Sequence, residues 1–200
     1  RVQHQLGEVA ELVHTTLSWQ DLVLREEVVQ RILEVVAAVR FREQVLGRWG
    51  FAAKLPYGRS VTTLFAGPPG TGKTMVATLI AKELGRELFR IDLSKVVSKW
   101  IGETEKNLGK VFDHAQASGA VLLFDEADSL FAKRTEVRTS VDRYANMEVN
   151  YLLQRLDSFE GLAILTSNFG TAIDPAFKRR LSFRVTFPFP ARKFPDSLCP

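Results

Sequence analysis

Apolar residues recur at helical spacing early in the chain: Leu6, Val9, Leu12 and Val13 within residues 3–14, then Val28, Val29, Ile32, Leu33, Val36 and Val39 within 25–46. Each set covers one face of a 3.6-residue period and predicts an amphipathic helix. Between them, SWQDLVL offers Ser18 and Asp21 as candidate side-chain caps ahead of the longer helix. GFAAKLPYGRS at 50–60 contains Pro56 and Gly58 and predicts a loop. Beyond it the pattern changes to short, continuous apolar runs: VTTLFA at 61–66, LFRIDL at 88–93, AVLLF at 120–124, LAILTS at 162–167 and FRVTF at 183–187. These predict strands, and helical patterns at 73–84, 103–118, 144–157 and 174–180 separate them.

Strands that alternate with helices form βαβ units, and strands apolar at nearly every position are covered on both faces. The expected architecture is a three-layer α/β/α sandwich around a five-stranded, mainly parallel sheet. Functional side chains should then gather beyond the carboxyl ends of the strands. The 200 residues, 46% of them hydrophobic, suit one such domain and can build a sizeable core. No internal repeat or low-complexity tract interrupts the pattern.

Composition narrows the setting. Cys199 is the single cysteine, so no intramolecular disulfide can form, and a reducing cytoplasm is the expected compartment. The apolar runs fall far short of the roughly 20 residues that cross a bilayer. The start, RVQHQLGEVAEL, has neither Met nor an apolar signal core, and suggests a piece of a longer chain. A net charge of +4 spread without a dense basic run is weak support for nucleic-acid binding.

The segment GPPGTGKTMV at 67–76 is too rich in glycine and proline for an element interior and must be a shaped loop. Gly67, Gly72, Lys73 and Thr74 fit G-x-x-x-x-G-K-S/T directly after a predicted strand and at the opening of a predicted helix, the setting of a P-loop. Backbone N–H groups of Gly67, Pro68, Pro69, Gly70, Thr71, Gly72, Lys73, Thr74 and Met75, prolines excepted, would wrap phosphates, helped by the positive end of the helix. Lys73 would reach the β and γ oxygens, and the Thr74 hydroxyl would hold Mg²⁺. In AVLLFDEADSL, Asp125 and Glu126 follow a buried strand. Standing alone, such a pair would read as solvated helix-capping acids. Fifty residues after a P-loop, Asp125 suits Mg²⁺ and Glu126 suits the base that polarises an attacking water.

GPPGTGKT, SKWIGETEKNL, LLFDEADSLF and IDPAFKRRLSFRVTFPFP, in this spacing, resemble the AAA ATPases of the P-loop NTPase fold over about residues 18–190. The last block is closest in form to the katanin, spastin and Vps4 branch. The whole looks like stand-alone bacterial AAA proteins, some of which occur with contractile injection systems. The resemblance implies ATP and Mg²⁺ as cofactors. It implies that Thr166, Ser167 and Asn168 end a sensor strand, with Asn168 orienting the attacking water. Arg179 and Arg180 match paired arginine fingers that enter a neighbouring subunit's site, which implies a homo-oligomeric ring, usually a hexamer. Asp21, Leu22 and Val23 resemble the segment near adenine. Lys99, Trp100, Ile101 and Gly102 match a first pore loop that grips an extended polypeptide, and residues 134–144, with Arg138 and Arg143, would supply a second.

The expected domain organisation is a helical linker at 1–17, the AAA large domain at 18–190 and an irregular tail at 191–200. The family's helical lid has no counterpart in ARKFPDSLCP, which carries no helical period. A truncated clone or a changed reading frame would explain this, and weak nucleotide binding and poor assembly are then expected. The implied activity is ATP hydrolysis coupled to remodelling, unfolding or disassembly of a protein substrate. The alternative is a nucleotide-gated binding or assembly factor with little hydrolysis. A DNA-acting loader would want a basic groove, and a small-molecule kinase would not need the late arginine pair.

Overall fold

The computed structural model describes residues 10–49, 60–93, 103–128, 150–168 and 175–189. Its strands are β1 (Ala10–Val13), β2 (Val61–Ala66), β3 (Leu88–Asp92), β4 (Val121–Asp125), β5 (Leu162–Ser167) and β6 (Phe183–Thr186). They form one sheet in the order β1-β3-β4-β5-β2-β6. The five strands from β2 to β6 pair in parallel, and β1 lies antiparallel against β3 at one edge. The helices are α1 (Glu26–Glu43), α2 (Lys73–Glu83), α3 (Glu103–Ser118), α4 (including 150–158) and α5 (Pro175–Lys178). A π-helical turn, Gln44–Arg48, continues α1.

Alternation along the central strands divides their side chains between two layers. Leu64, Ala66, Leu122, Phe124, Ala163 and Leu165 pack with Leu108, Val111, Phe112 and Ala115 of α3 and with Leu152, Leu153 and Leu156 of α4. Their neighbours Phe65, Val121, Leu123, Leu162 and Ile164 face the other way, onto Val28, Ile32, Val35, Val36 and Val39 of α1 and Val76, Ala77 and Ile80 of α2. Burying such a side chain fully contributes roughly 1.5–3 kcal/mol, so the two apolar layers hold the sheet between its helices.

Residues 10–13 correct the helix expected over 3–14. Leu12 packs on one side of the sheet and Val13 on the other, the period of a strand. Four residues are too few for periodicity to decide, and the open edge of β3 offers ladder partners from Ala10↔Ile91 to Val13↔Leu88. Residues 3–9 of that expectation lie outside the described residues. The capping expectation also changes. Asp21 and Ser18 serve each other across a 3-10 turn, Trp19–Asp21: the Ser18 N–H and hydroxyl both donate to the Asp21 carboxylate, at 2.6 and 2.9 Å. The cap position of α1 is instead Arg25, which makes no side-chain capping bond.

Candidate active site

The loop after β2 is shaped by close contact. A Cβ on Gly67 would sit 2.2 Å from the Phe187 carbonyl oxygen, so only glycine fits where the chain passes under the continuation of β6. The Gly67 N–H donates to Ser167 O at 3.1 Å, tying the loop to the end of β5. Gly72 caps α2 at φ +88°, a conformation that costs an L-residue about 1–2 kcal/mol. Leu22 lies beside it, 3.7 Å from where a Gly72 Cβ would stand. Of the expected adenine segment, Leu22 is therefore at the loop, while Val23 is 95% exposed.

Lys73 opens α2 with its side chain buried. Its ammonium donates to the carbonyls of Gly67 at 2.7 Å and Pro68 at 2.8 Å and to Asn168 Oδ1 at 3.1 Å, which occupies all three donors. Burial pushes its pKa below the usual lysine value, and the Asp125 and Asp128 charges oppose that shift only in part. The Thr71 hydroxyl closes the loop on Pro68 O at 2.8 Å. Pro69 and Gly70 are exposed at its tip, and Met75 is half-buried on α2.

The end of β4 brings the carboxylates to the same place. Asp125 is buried, and its Oδ1 accepts from the Thr166 hydroxyl at 2.5 Å. Its Oδ2 accepts from Arg90 Nε at 2.9 Å, from Arg90 Nη2 at 2.8 Å and from the Thr74 hydroxyl at 3.5 Å. Glu126 follows at φ +55°, left-handed backbone that a non-glycine residue enters only when its surroundings require it. Thr166 supplies that requirement: its Oγ1 accepts the Glu126 N–H at 3.1 Å and its carbonyl accepts the Ala127 N–H at 2.8 Å. The turn leaves the Glu126 side chain exposed at the end of β4. Asp128 receives the Ser167 hydroxyl and the Asn168 N–H, which fixes the end of β5.

Chemically, this arrangement presents an ammonium, a hydroxyl, a buried carboxylate and an exposed carboxylate around a glycine loop. Thr74 and Asp125 are hard oxygen donors facing each other, which fits Mg²⁺ held by one carboxylate together with nucleotide phosphates. Among the described residues no group of three or more His, Cys, Asp or Glu converges to hold a metal by itself. Arg90 and Asp128 were not singled out from the sequence. Arg90 could have been found by register alone: β3 and β4 pair Arg90↔Leu123 and Asp92↔Asp125, which puts Arg90 diagonally across from Asp125 on one face.

The arginine pair lies elsewhere. Ser182 N–H bonds to Thr62 O, and β6 then runs parallel to β2 until Thr186 meets Ala66. Arg179 and Arg180 therefore precede β6 at the amino end of the sheet, about 13 Å of strand away from the level of the glycine loop. Arg180 grips Asp157 of α4 with Nε at 2.9 and 3.0 Å and Nη2 at 2.8 Å. Arg179 is exposed. The expected pore-loop residues, Lys99, Trp100, Ile101 and Gly102, and Arg138 and Arg143, lie outside the described residues.

A glycine loop between a central strand and a helix, with an acidic pair ending β4, which is parallel and separated from β2 by β5, defines a P-loop nucleoside triphosphatase domain. The family model described as "ATPase family associated with various cellular activities (AAA)" matches residues 63–189, and the chain belongs to that family. Protein CdcH of Halobacterium salinarum is 33% identical over 82% of this chain and 21% of its own length. Protein SUPPRESSOR OF K(+) TRANSPORT GROWTH DEFECT 1 of Arabidopsis thaliana is 31% identical over 88% of this chain and 40% of its own length. The chain thus spans well under half of either relative. A crystal structure of the FIGL-1 AAA domain in complex with ADP aligns over 94% of this chain and 62% of that one, with a TM-score of 0.71 at 23% identity, a likeness of fold. An ATP-binding and ATP-hydrolysing role follows from the family at this general level.

Proposed function

We propose that this chain is the hydrolytic domain of a ring-forming AAA ATPase that uses ATP to remodel, unfold or disassemble a protein substrate. The observation that carries the reading is the split of the site. The glycine loop, Lys73, Thr74, Asp125, Glu126 and Asn168 gather at the carboxyl end of the sheet, whereas Arg179 and Arg180 stand at the other end, which supports a role for the exposed Arg179 toward another copy. In this reading the loop N–H groups and Lys73 hold the triphosphate, Glu126 takes a proton from the attacking water and Asn168 orients that water. Bound Mg²⁺, held through Thr74 and Asp125, would supply charge stabilisation at the phosphates. Arg179 of a neighbour would meet the charge on the transferring group. A hexamer is the expected ring.

A cytoplasmic setting agrees with the lone cysteine and with the absence, among the described residues, of any helix long and apolar enough to cross a membrane. A polypeptide substrate rests on Trp100 and its neighbours by resemblance. ATP turnover measured against protein concentration tests the reading. Turnover per chain that rises steeply with concentration and is abolished by Glu126→Gln is the expected result. ATP binding without turnover at any concentration in a version carrying the family's helical lid would refute the motor and leave a nucleotide-gated assembly factor.

A further inference from the structure

Asp125 cannot be left without a cation. Only a tenth of its side chain is exposed, and an uncompensated buried carboxylate is strongly destabilising. Its two oxygens are not equivalent. Oδ1 is fastened to the Thr166 hydroxyl, whereas Oδ2 faces Thr74 and is the oxygen that both Nε and Nη2 of Arg90 engage. A metal ion shared by Thr74 and Asp125 must be served from that same Oδ2. Arg90 therefore stands on the atom that the metal site needs. Its side chain is 40% exposed, so the guanidinium has solvent to move into, while its backbone stays pinned opposite Leu123 in the ladder.

We propose that Arg90 is a built-in stand-in for Mg²⁺: it neutralises Asp125 while the metal is away and gives up Oδ2, wholly or through one of its two N–H groups, when the metal is taken up. The inference rests on the reading of Thr74 and Asp125 as the Mg²⁺ ligands. Arg90 is a positioning residue here, since it acts through Asp125. Two consequences follow. The metal must displace a cation as well as shed its own water, so Arg90 weakens metal uptake. In return, Asp125 stays aimed between turnovers, because Thr166 keeps Oδ1 and Arg90 keeps Oδ2. Removing the guanidinium should loosen the resting site yet tighten its hold on the metal, a combination that a merely structural arginine would not give.

The test is Mn²⁺ binding to this chain at saturating ADP, followed by electron paramagnetic resonance, for the wild type, Arg90→Gln and Arg90→Lys. The expected result is Mn²⁺ held about tenfold more tightly by Arg90→Gln, within the usual range of coupling between linked equilibria, with Arg90→Lys in between and metal-free ADP affinity little changed. Equal or weaker Mn²⁺ binding by Arg90→Gln overturns the exchange and leaves the site reading standing. If the wild type takes up no Mn²⁺ with ADP, the site reading falls and the proposal with it. Should Arg90→Gln not fold, the Arg90 Nε–H signal of the wild type, assigned by its loss in Arg90→Lys, decides by nuclear magnetic resonance. It should move on adding Mg²⁺ with ADP but not with ADP alone, and a signal unmoved by Mg²⁺ overturns the proposal.

Discussion

The two ends of the sheet are built on different terms. At the carboxyl end, β2, β4 and β5 stop side by side, and polar groups there bond from one element to another: Lys73 to Asn168, Asp125 with Thr166 and Arg90, Asp128 with Ser167 and Asn168. At the amino end, one arginine of a pair is tied to α4 and the other is exposed. The first end is organised within one chain. In the proposed reading the second is a surface offered to another copy, and β6 holds it away from the glycine loop of its own chain.

The sharpest way to break this contrast is to disable each end separately and then mix. Glu126→Gln should cut turnover by roughly 10²–10⁴ while ATP binding persists. Arg179→Ala should cost a comparable or larger factor, about 10³–10⁵ when the cation comes from a partner, without shifting the melting temperature. Mixing Arg179→Ala chains with Lys73→Ala chains should then restore part of the activity, since some sites would combine an intact loop with an intact arginine. Mixtures as inactive as either parent would refute a shared site. Arg180 sharpens the point, because Arg180→Ala also removes the grip on Asp157. That pair is about one-third exposed on each side, so its loss should cost only about 1 kcal/mol in a denaturation midpoint.

Within the carboxyl end, Thr166 is the next lever. Its hydroxyl serves both the Asp125 carboxylate and the strained Glu126 N–H. Thr166→Val keeps the shape and leaves Asp125 Oδ1 and the Glu126 N–H without that partner, which should cost about 1–3 kcal/mol of stability. Turnover should fall by more than ATP affinity does, because the backbone at φ +55° loses the Glu126 N–H bond and keeps only that of Ala127 to the carbonyl of residue 166. An active Thr166→Val chain with an unchanged melting temperature would show that the turn is set by something else.

Much of this was legible in the sequence for a physical reason. Residues 61–66 and 162–167 read as strands with the bounds the structure gives, because β2 and β5 are buried at every position and take only apolar or small hydroxyl side chains. Lys73, Thr74, Asp125 and Glu126, which the motifs point to, and Asn168, which only the family resemblance implies, stand together because adjacent parallel strands end at one level. What stayed hidden depends on pairing. The edge strand β1 copies a helical spacing over four residues, and only its ladder with β3 decides its form. Arg90 lies in a strand 35 residues before its partner, and in a run such as LFRIDL it looks like one more outward-facing polar residue. Asp21 looked like the cap of a long helix and instead caps a short turn, a choice between neighbouring N–H groups that spacing does not resolve.

The smallest expected effect is the pH dependence that Lys73 gives the nucleotide-free protein. Burial depresses its pKa in the fold, so between that folded value and the unfolded value of 10.5 the unfolded chain binds more protons than the folded one. Stability attributable to Lys73 must therefore rise with pH through that window. Below the folded pKa the cost of holding the ammonium in the loop is present in full, and it vanishes above the unfolded value. Other lysines and tyrosines titrate over the same range, so the observable is the difference in urea midpoint between the wild type and Lys73→Met. The wild type should gain on the variant as pH is raised toward 10.5. A difference that stays flat would mean that the carbonyls of Gly67 and Pro68, Asn168 and the nearby carboxylates compensate the buried ammonium in full, and the carboxyl end would then hold its lysine at no cost while it waits for phosphate.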